Sequence, residues 1–112
     1  YAPQGLMGIK AREGQFTAPR GVTSFVHVED AASAAIEALG WPVGIYNIVD
    51  DAPALGEEWG PAFAAWCHAP PPPLASHAAA WERGASNQKA RQIGWQPQYP
   101  HWRMQFAGPS LV

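Results

Sequence analysis

Charged side chains are scarce. Asp, Glu, Lys and Arg make up 14% of the 112 residues, where an ordinary domain carries about a quarter. A surface so poor in charge is expected to be covered in part by something else. The net charge is −2, and Lys10, Arg12 and Arg20 are too dispersed to form a basic patch. No nucleic-acid partner is therefore expected. Cysteine is almost missing: the single Cys67 rules out an internal disulfide and fits a reducing compartment. There is no apolar run long enough to cross a membrane and no signal-peptide pattern. These absences predict a cytoplasmic location without a membrane partner. No internal repeat breaks the chain, and its length is that of one small domain.

Apolar residues are plentiful by comparison, at 47%, although much of that is alanine. The six tryptophans matter more to a core, since each can bury about 150–250 Å². A chain of this size hides roughly 60–70% of the surface it exposes when unfolded, so the core is expected to be real but modest. The sequence opens on Tyr1 rather than methionine. That predicts a processed product, a truncation or a fragment of a longer reading frame.

The start, 1–22, reads as loop around one helical turn near 7–11. Phe25, Val26 and Val28 predict a buried strand over 24–28. Asp30 is placed to cap the helix that follows, with Ala31, Ala34, Ala35, Ala38 and Leu39 on one broad face. Gly40 ends that helix and Pro42 prevents its return. A second strand is expected over 45–49, followed by a turn at Asp50, Asp51 and Pro53. Trp59, Phe63 and Trp66 repeat at helical spacing and predict a core-facing helix from 57 or 58 to 67. The four prolines 70–73 favour polyproline II. They define a stiff linker over 69–74, the rival use being recognition by an aromatic groove. One or two helical turns are expected over 77–82. A short helix capped by Ser86 or Asn87 runs to about 93, where Gly94 stops it. Trp95, Pro97, Tyr99 and Trp102 form an apolar tail expected to pack back on the sheet.

Residues able to do chemistry are present, but their spacing is unremarkable. Tyr46 and Asn47 offer a hydroxyl and an amide that could read a polyol, and a half-exposed strand accounts for them equally well. Adjacent Asp50 and Asp51 are better explained by turn chemistry than by paired catalysis. Cys67, His68 and His77 lack any established metal-ligand spacing, so no metal is expected. No Gly-x-Ser-x-Gly nucleophile elbow appears.

Three segments, FVHVEDAASA, GIYNI and ASNQKARQIGWQP, stand in an order and spacing that resemble the C-terminal part of an NAD-dependent epimerase/dehydratase. This is the extended short-chain dehydrogenase/reductase family. Tyr1–Ala2–Pro3 also resembles the Tyr-Gly-Pro that follows a late sheet strand there, with Ala2 in place of glycine. The resemblance covers 1–106 and leaves 107–112 as a tail. It implies an α/β fold: two or three short strands with packed helices, forming the substrate-side lobe of a Rossmann-type enzyme. It further implies substrate-facing places for His27, Tyr46, Asn47 and Arg83, and cofactor-side places for Tyr1 and Pro3. For His27 the competing reading is a hydrogen-bonded structural histidine. For Arg83 the implied task is to meet a sugar-nucleotide phosphate with its planar donors.

The departures from the family are as informative. The glycine-rich turn that brings backbone N–H groups to a pyrophosphate is missing, since Gly5, Gly8 and Gly14 have neither its spacing nor a preceding strand. The Tyr-x-x-x-Lys pair is missing too: Gly5, Asp50 and Arg103 stand four residues after Tyr1, Tyr46 and Tyr99. Thr23–Ser24 replaces the usual Arg-Asp, and 69–83 is shorter than its counterpart. The expected function is therefore a substrate-binding lobe that does not catalyse alone and carries no cofactor of its own. NAD or NADP would serve the intact enzyme, with a substrate of sugar-nucleotide type. Its partner would be a nucleotide-binding domain or a second copy. The alternative is a stand-alone binding or protein-interaction module derived from that lobe, and a third is an inert remnant.

Overall fold

The aromatic stripe predicted for the middle of the chain is what the other elements gather around. The computed structural model describes residues 1–106, and the expected tail 107–112 lies outside the described residues. Among these, the helices are α1 (Leu6–Arg12), α2 (Val28–Glu37), α3 (Gly56–Trp66), α4 (Gln88–Gln92) and α5 (Trp102–Phe106). A single 3-10 turn, Ala38–Gly40, continues α2. Strands β1 (Val22–Thr23) and β2 (Ala54–Leu55) pair antiparallel, with Val22 opposite Leu55 and Thr23 opposite Ala54. Two isolated parallel bridges, Ala18–Leu74 and Val22–Arg83, extend this small α/β arrangement.

Trp59 and Phe63 of α3 are fully buried. Phe16, Trp102 and Phe106 pack with them, and Trp66 is partly buried against the same cluster. Edge-to-face contacts of Trp59 with Tyr1 and Phe25, both at 5.1 Å, draw in the chain's start and the segment after β1. Such pairs add about 0.5–1.5 kcal/mol beyond the area they bury. A second, smaller cluster joins Ala34 of α2, Ala90 of α4 and Trp95, with Trp41, Tyr46 and Ile48 at its margin.

Both strands predicted from sequence prove to be something else. Segment 24–28 is extended but unladdered; Val28 already belongs to α2 and is 73% exposed. Segment 45–49 forms no ladder either, and Ile45 is 87% exposed. The backbone link between these stretches is Asp50 N–H donating to the Phe25 carbonyl. Strand-forming side chains need neighbours for their backbone groups, and here they have almost none. The segment 77–82, expected to be helical turns, holds a bend at its start and a hydrogen-bonded turn at 80–81, with no helix.

Helical expectations fare better. The helix over 57–67 is α3, and α2 with its 3-10 turn spans the predicted alanine face. Helix α4 ends as predicted near Gly94, whose φ of 101° suits glycine. The tail packs back, but onto the helices rather than onto a sheet: Trp95 enters the second cluster and Trp102 the first. The prolines act as a strap: Ala18 N–H donates to the Pro73 carbonyl at 2.9 Å, and Ala75 N–H returns to the Ala18 carbonyl.

Gly56 marks where this strap region meets α3. A Cβ built there would lie 1.6 Å from the Pro19 carbonyl oxygen, so backbone meets backbone with no room for a side chain. Gly56→Ala is expected to cost about 1–3 kcal/mol by forcing these segments apart. Urea denaturation measures it, and an unchanged midpoint would contradict the close approach.

Candidate functional site

His27, and not Asp30, caps α2: its Nδ1 accepts from the Glu29 backbone N–H at 3.1 Å. Its ring lies stacked on Tyr99 with centroids 3.8 Å apart. Asp30 is displaced into the first turn, where it is almost fully buried. Its two carboxylate oxygens accept from the backbone N–H groups of Gln98 and Tyr99, at 2.8 and 3.0 Å. The Tyr99 hydroxyl meets Glu29 at 3.0 Å, and this bond to a carboxylate raises the Tyr99 pKa. The start of α2 is thereby clamped to the tail. The sequence showed an acid at a helix start but not the loop that needed it.

Tyr46 and Asn47 part company. Tyr46 donates its hydroxyl to the Pro42 carbonyl at 2.7 Å, packs against Trp41, and carries Lys89 Nζ 4.6 Å from its ring centre. Asn47 is exposed. Tyr1 sets its half-exposed ring against Trp59 and Phe63 at the margin of the aromatic core, where partial burial raises its pKa, and Pro3 is fully buried with its carbonyl accepting from Arg12. Arg83 lies apart, exposed beside the Val22 bridge. These residues thus belong to separate places: the aromatic core, the α2 clamp, the margin of the second cluster and the 81–85 edge.

Asp50 and Asp51 adopt the turn role expected of them, with different fates. Asp50 is buried and accepts from the Ala52 N–H at 2.9 Å; burial raises its pKa despite that bond. Asp51 is half-exposed and paired with Arg91. Asn87, predicted as a cap, instead donates its amide to Asp51 at 2.7 Å and to the Val49 carbonyl at 2.9 Å. Ser86 accepts from the Gln88 N–H in its place. Partial burial pushes the Asp51 pKa up, but the bonds from Asn87 and Arg91 outweigh it and hold the group below the usual carboxylate value.

Two grooves stand out. The larger, about 780 Å³, runs along Ala31, Ala34, Ala35 and Ala38 of α2 and its 3-10 turn and is closed by Trp41 and Tyr46. It is apolar, as small side chains make it. The second, about 480 Å³, lies between the β1 region and the 81–85 edge and includes Thr23, Ser24, Trp81 and Glu82. Ser24 is engaged there, its hydroxyl accepting from Ala85 N–H at 2.8 Å. Trp81, which sequence reasoning passed over, is 84% exposed. Its position beside Arg83 was the available signal. Among the described residues no group of three His, Cys, Asp or Glu side chains could hold a metal ion, and no helix is long and apolar enough to cross a membrane.

No family model matches the chain, and no solved structure matches it. It is 36% identical over 121 aligned residues to a Streptomyces sp protein named 3-diazoavenalumate denitrifying reductase. The match covers 92% of this chain and 40% of that protein. The chain is therefore similar to part of a protein named as a reductase, and spans well under two thirds of its length.

Three outcomes follow from these carboxylates. Asp30→Ala strips two backbone N–H groups of their acceptor and is expected to cost about 1–3 kcal/mol in denaturant unfolding. An effect near zero would mean that the clamp is dispensable. Asp50 and Asp51 should behave oppositely with pH. A raised folded pKa penalises ionised Asp50 at neutral pH, so Asp50→Asn should raise the melting temperature there. That gain should vanish in acid below the ordinary carboxylate range. Asp51 has a lowered folded pKa, so its contribution is present above the ordinary value and lost as pH falls through the folded one. Asp51→Asn should lower the melting temperature at neutral pH and not in acid.

Proposed function

We propose that this chain is the substrate-side lobe of an NAD(P)-dependent reductase of the extended short-chain type, working with a nucleotide-binding half. The observation that carries this is the reductase relative, matched over almost all of this chain yet over only 40% of its own length. The alanine groove supports it physically. Leu39, Val43 and Ile45 are 89%, 106% and 87% exposed beside that groove, and a contiguous apolar face of this kind marks a surface that another element covers. The scarce surface charge fits the same covering.

In this reading the nicotinamide, held by the other half, supplies hydride, and this lobe provides walls that orient the substrate and keep water away. Its candidate acid–base groups among the described residues are engaged elsewhere. Tyr46 gives its hydroxyl to Pro42, His27 gives Nδ1 to its helix cap, and Asp30 is committed to the tail. The relative's name specifies a diazo compound, which favours a reducible electrophile over the sugar-nucleotide class. An interaction module built on the proline run is less well supported, because those prolines strap onto Ala18.

The test joins the part of the Streptomyces reductase outside the matched span to this chain and follows NAD(P)H oxidation with 3-diazoavenalumate. The chimera is expected to turn over, and the 112-residue chain alone to show no rate. Turnover by the chain alone would refute the reading. So would a folded chimera that binds nicotinamide and stays inert while the Streptomyces parent is active.

A further inference from the structure

Segment 45–49 has the side chains of a strand and an incomplete set of partners for its backbone. It runs on to Asp50 without a turn or a bend, and its exposure alternates: Ile45 and Asn47 are exposed, Tyr46 and Ile48 half-buried. A period of two belongs to strand-like backbone with one face packed. The packed face is that of Tyr46 and Ile48, which lie against the cluster of Ala34, Ala90 and Trp95.

The two edges of the segment differ. Successive residues of a strand turn their N–H and C=O groups to opposite sides. On the side of Ile45, Asn47 and Val49, the α4 region supplies partners. Lys89 Nζ donates to the Ile45 carbonyl and the Asn87 amide to the Val49 carbonyl, both at 2.9 Å. On the side of Tyr46, Ile48 and Asp50, the bond present is Asp50 N–H to the Phe25 carbonyl. The main-chain N–H and C=O groups of Tyr46 and Ile48 meet no partner among the described residues. A bare row of this kind is a template to which another strand adds.

The alanine groove is walled by the same two residues, Tyr46 and Ile48, and by Ala31 and Ala35 of α2 and Ala38 of its 3-10 turn. A helix seated there satisfies its own main chain and would leave Tyr46 and Ile48 bare, as would a small apolar ligand. A strand answers both features. Its main chain bonds the edge, and alternate side chains enter the groove over the alanines, as a sheet face meets the helix that covers it.

We propose that 46–48 is an open sheet edge that takes a β-strand of the nucleotide-binding half, with large aliphatic side chains at alternate positions filling the alanine groove. This rests on the reading of the chain as a substrate-side lobe and says how its partner docks. The Streptomyces relative indicates where the strand comes from: the match takes up 92% of this chain and leaves more than half of that protein outside.

The test is residue-resolved amide hydrogen exchange by NMR, on the 112-residue chain and on the chimera described above. In the chain alone the Tyr46 and Ile48 amides should exchange freely at every protein concentration, while slow α3 amides report that it is folded. In the chimera both should slow about a hundred-fold or more. Ala35→Glu, at an exposed position, should leave the melting temperature of the chain alone little changed and abolish that slowing in the chimera. The proposal is overturned if both amides are already slow in the chain alone. It is overturned too if they slow there as concentration rises, which would be pairing with a second copy. Fast exchange in a folded chimera also overturns it, even where Leu39 and Val43 methyl resonances shift, since a covering helix would move those alone. Should the chimera not fold, exchange at the aligned residues of the intact Streptomyces reductase decides, slow amides supporting the edge and fast ones overturning it. Slow amides without turnover would sink the reductase reading and leave the edge standing. Turnover with fast amides would do the reverse.

Discussion

The packing of aromatic rings around Trp59 and Phe63 holds this chain in one piece. With only two residues in each strand, the backbone supplies few long-range bonds. The rings supply the connection instead. Tyr1 from the start and Phe16 before β1 reach both of these side chains of α3, Phe25 after β1 reaches Trp59, and Phe106 from α5 reaches Phe63. Each contact is modest, but each joins segments far apart in sequence, so losing the centre would release several at once. The indole N–H groups of Trp59, Trp66, Trp95 and Trp102 are buried without an acceptor among the described residues. The core is therefore bound by shape and dispersion more than by hydrogen bonds.

Around that core, polar latches do work that a sheet would otherwise do. Asp30 fastens α2 to the tail through two backbone N–H groups, and Asn87 with Arg91 fastens α4 to the Asp51 turn. The latches hold the molecule as a flat body, 44 × 33 × 18 Å. Its radius of gyration, 15.0 Å, exceeds the roughly 13 Å of a compact domain of this length. The alanine groove and the groove beside Trp81 are accordingly open surfaces rather than enclosed pockets.

Helices were legible because their signals are local. The Trp59–Phe63–Trp66 spacing, the alanine face and the Gly94 stop each concern a few neighbouring residues. Segments 24–28 and 45–49 carry strand-forming side chains without strand structure, because a ladder requires a partner backbone that propensity cannot supply. The Asp30 error has a similar origin: an acid at a helix start reads as a cap, and the loop at Gln98 and Tyr99 that claims it lies far along the chain. The site candidates scattered for the same reason, since family-like motifs gave His27, Tyr46, Asn47 and Arg83 but not their neighbours.

By itself the sequence determined the positions of α2, α3 and α4, the aromatic residues available to a core and the absence of a glycine-rich nucleotide turn, since short-range periodicity and residue chemistry decide these. Tertiary structure alone decided which polar groups were consumed and which were left over. Asp30 and Asn87 are spent on backbone that lies 68 and 38 residues away in sequence, whereas Trp81 and Arg83 remain exposed. A side chain's availability depends on what distant backbone comes to lie beside it, and residue identity does not encode that distance.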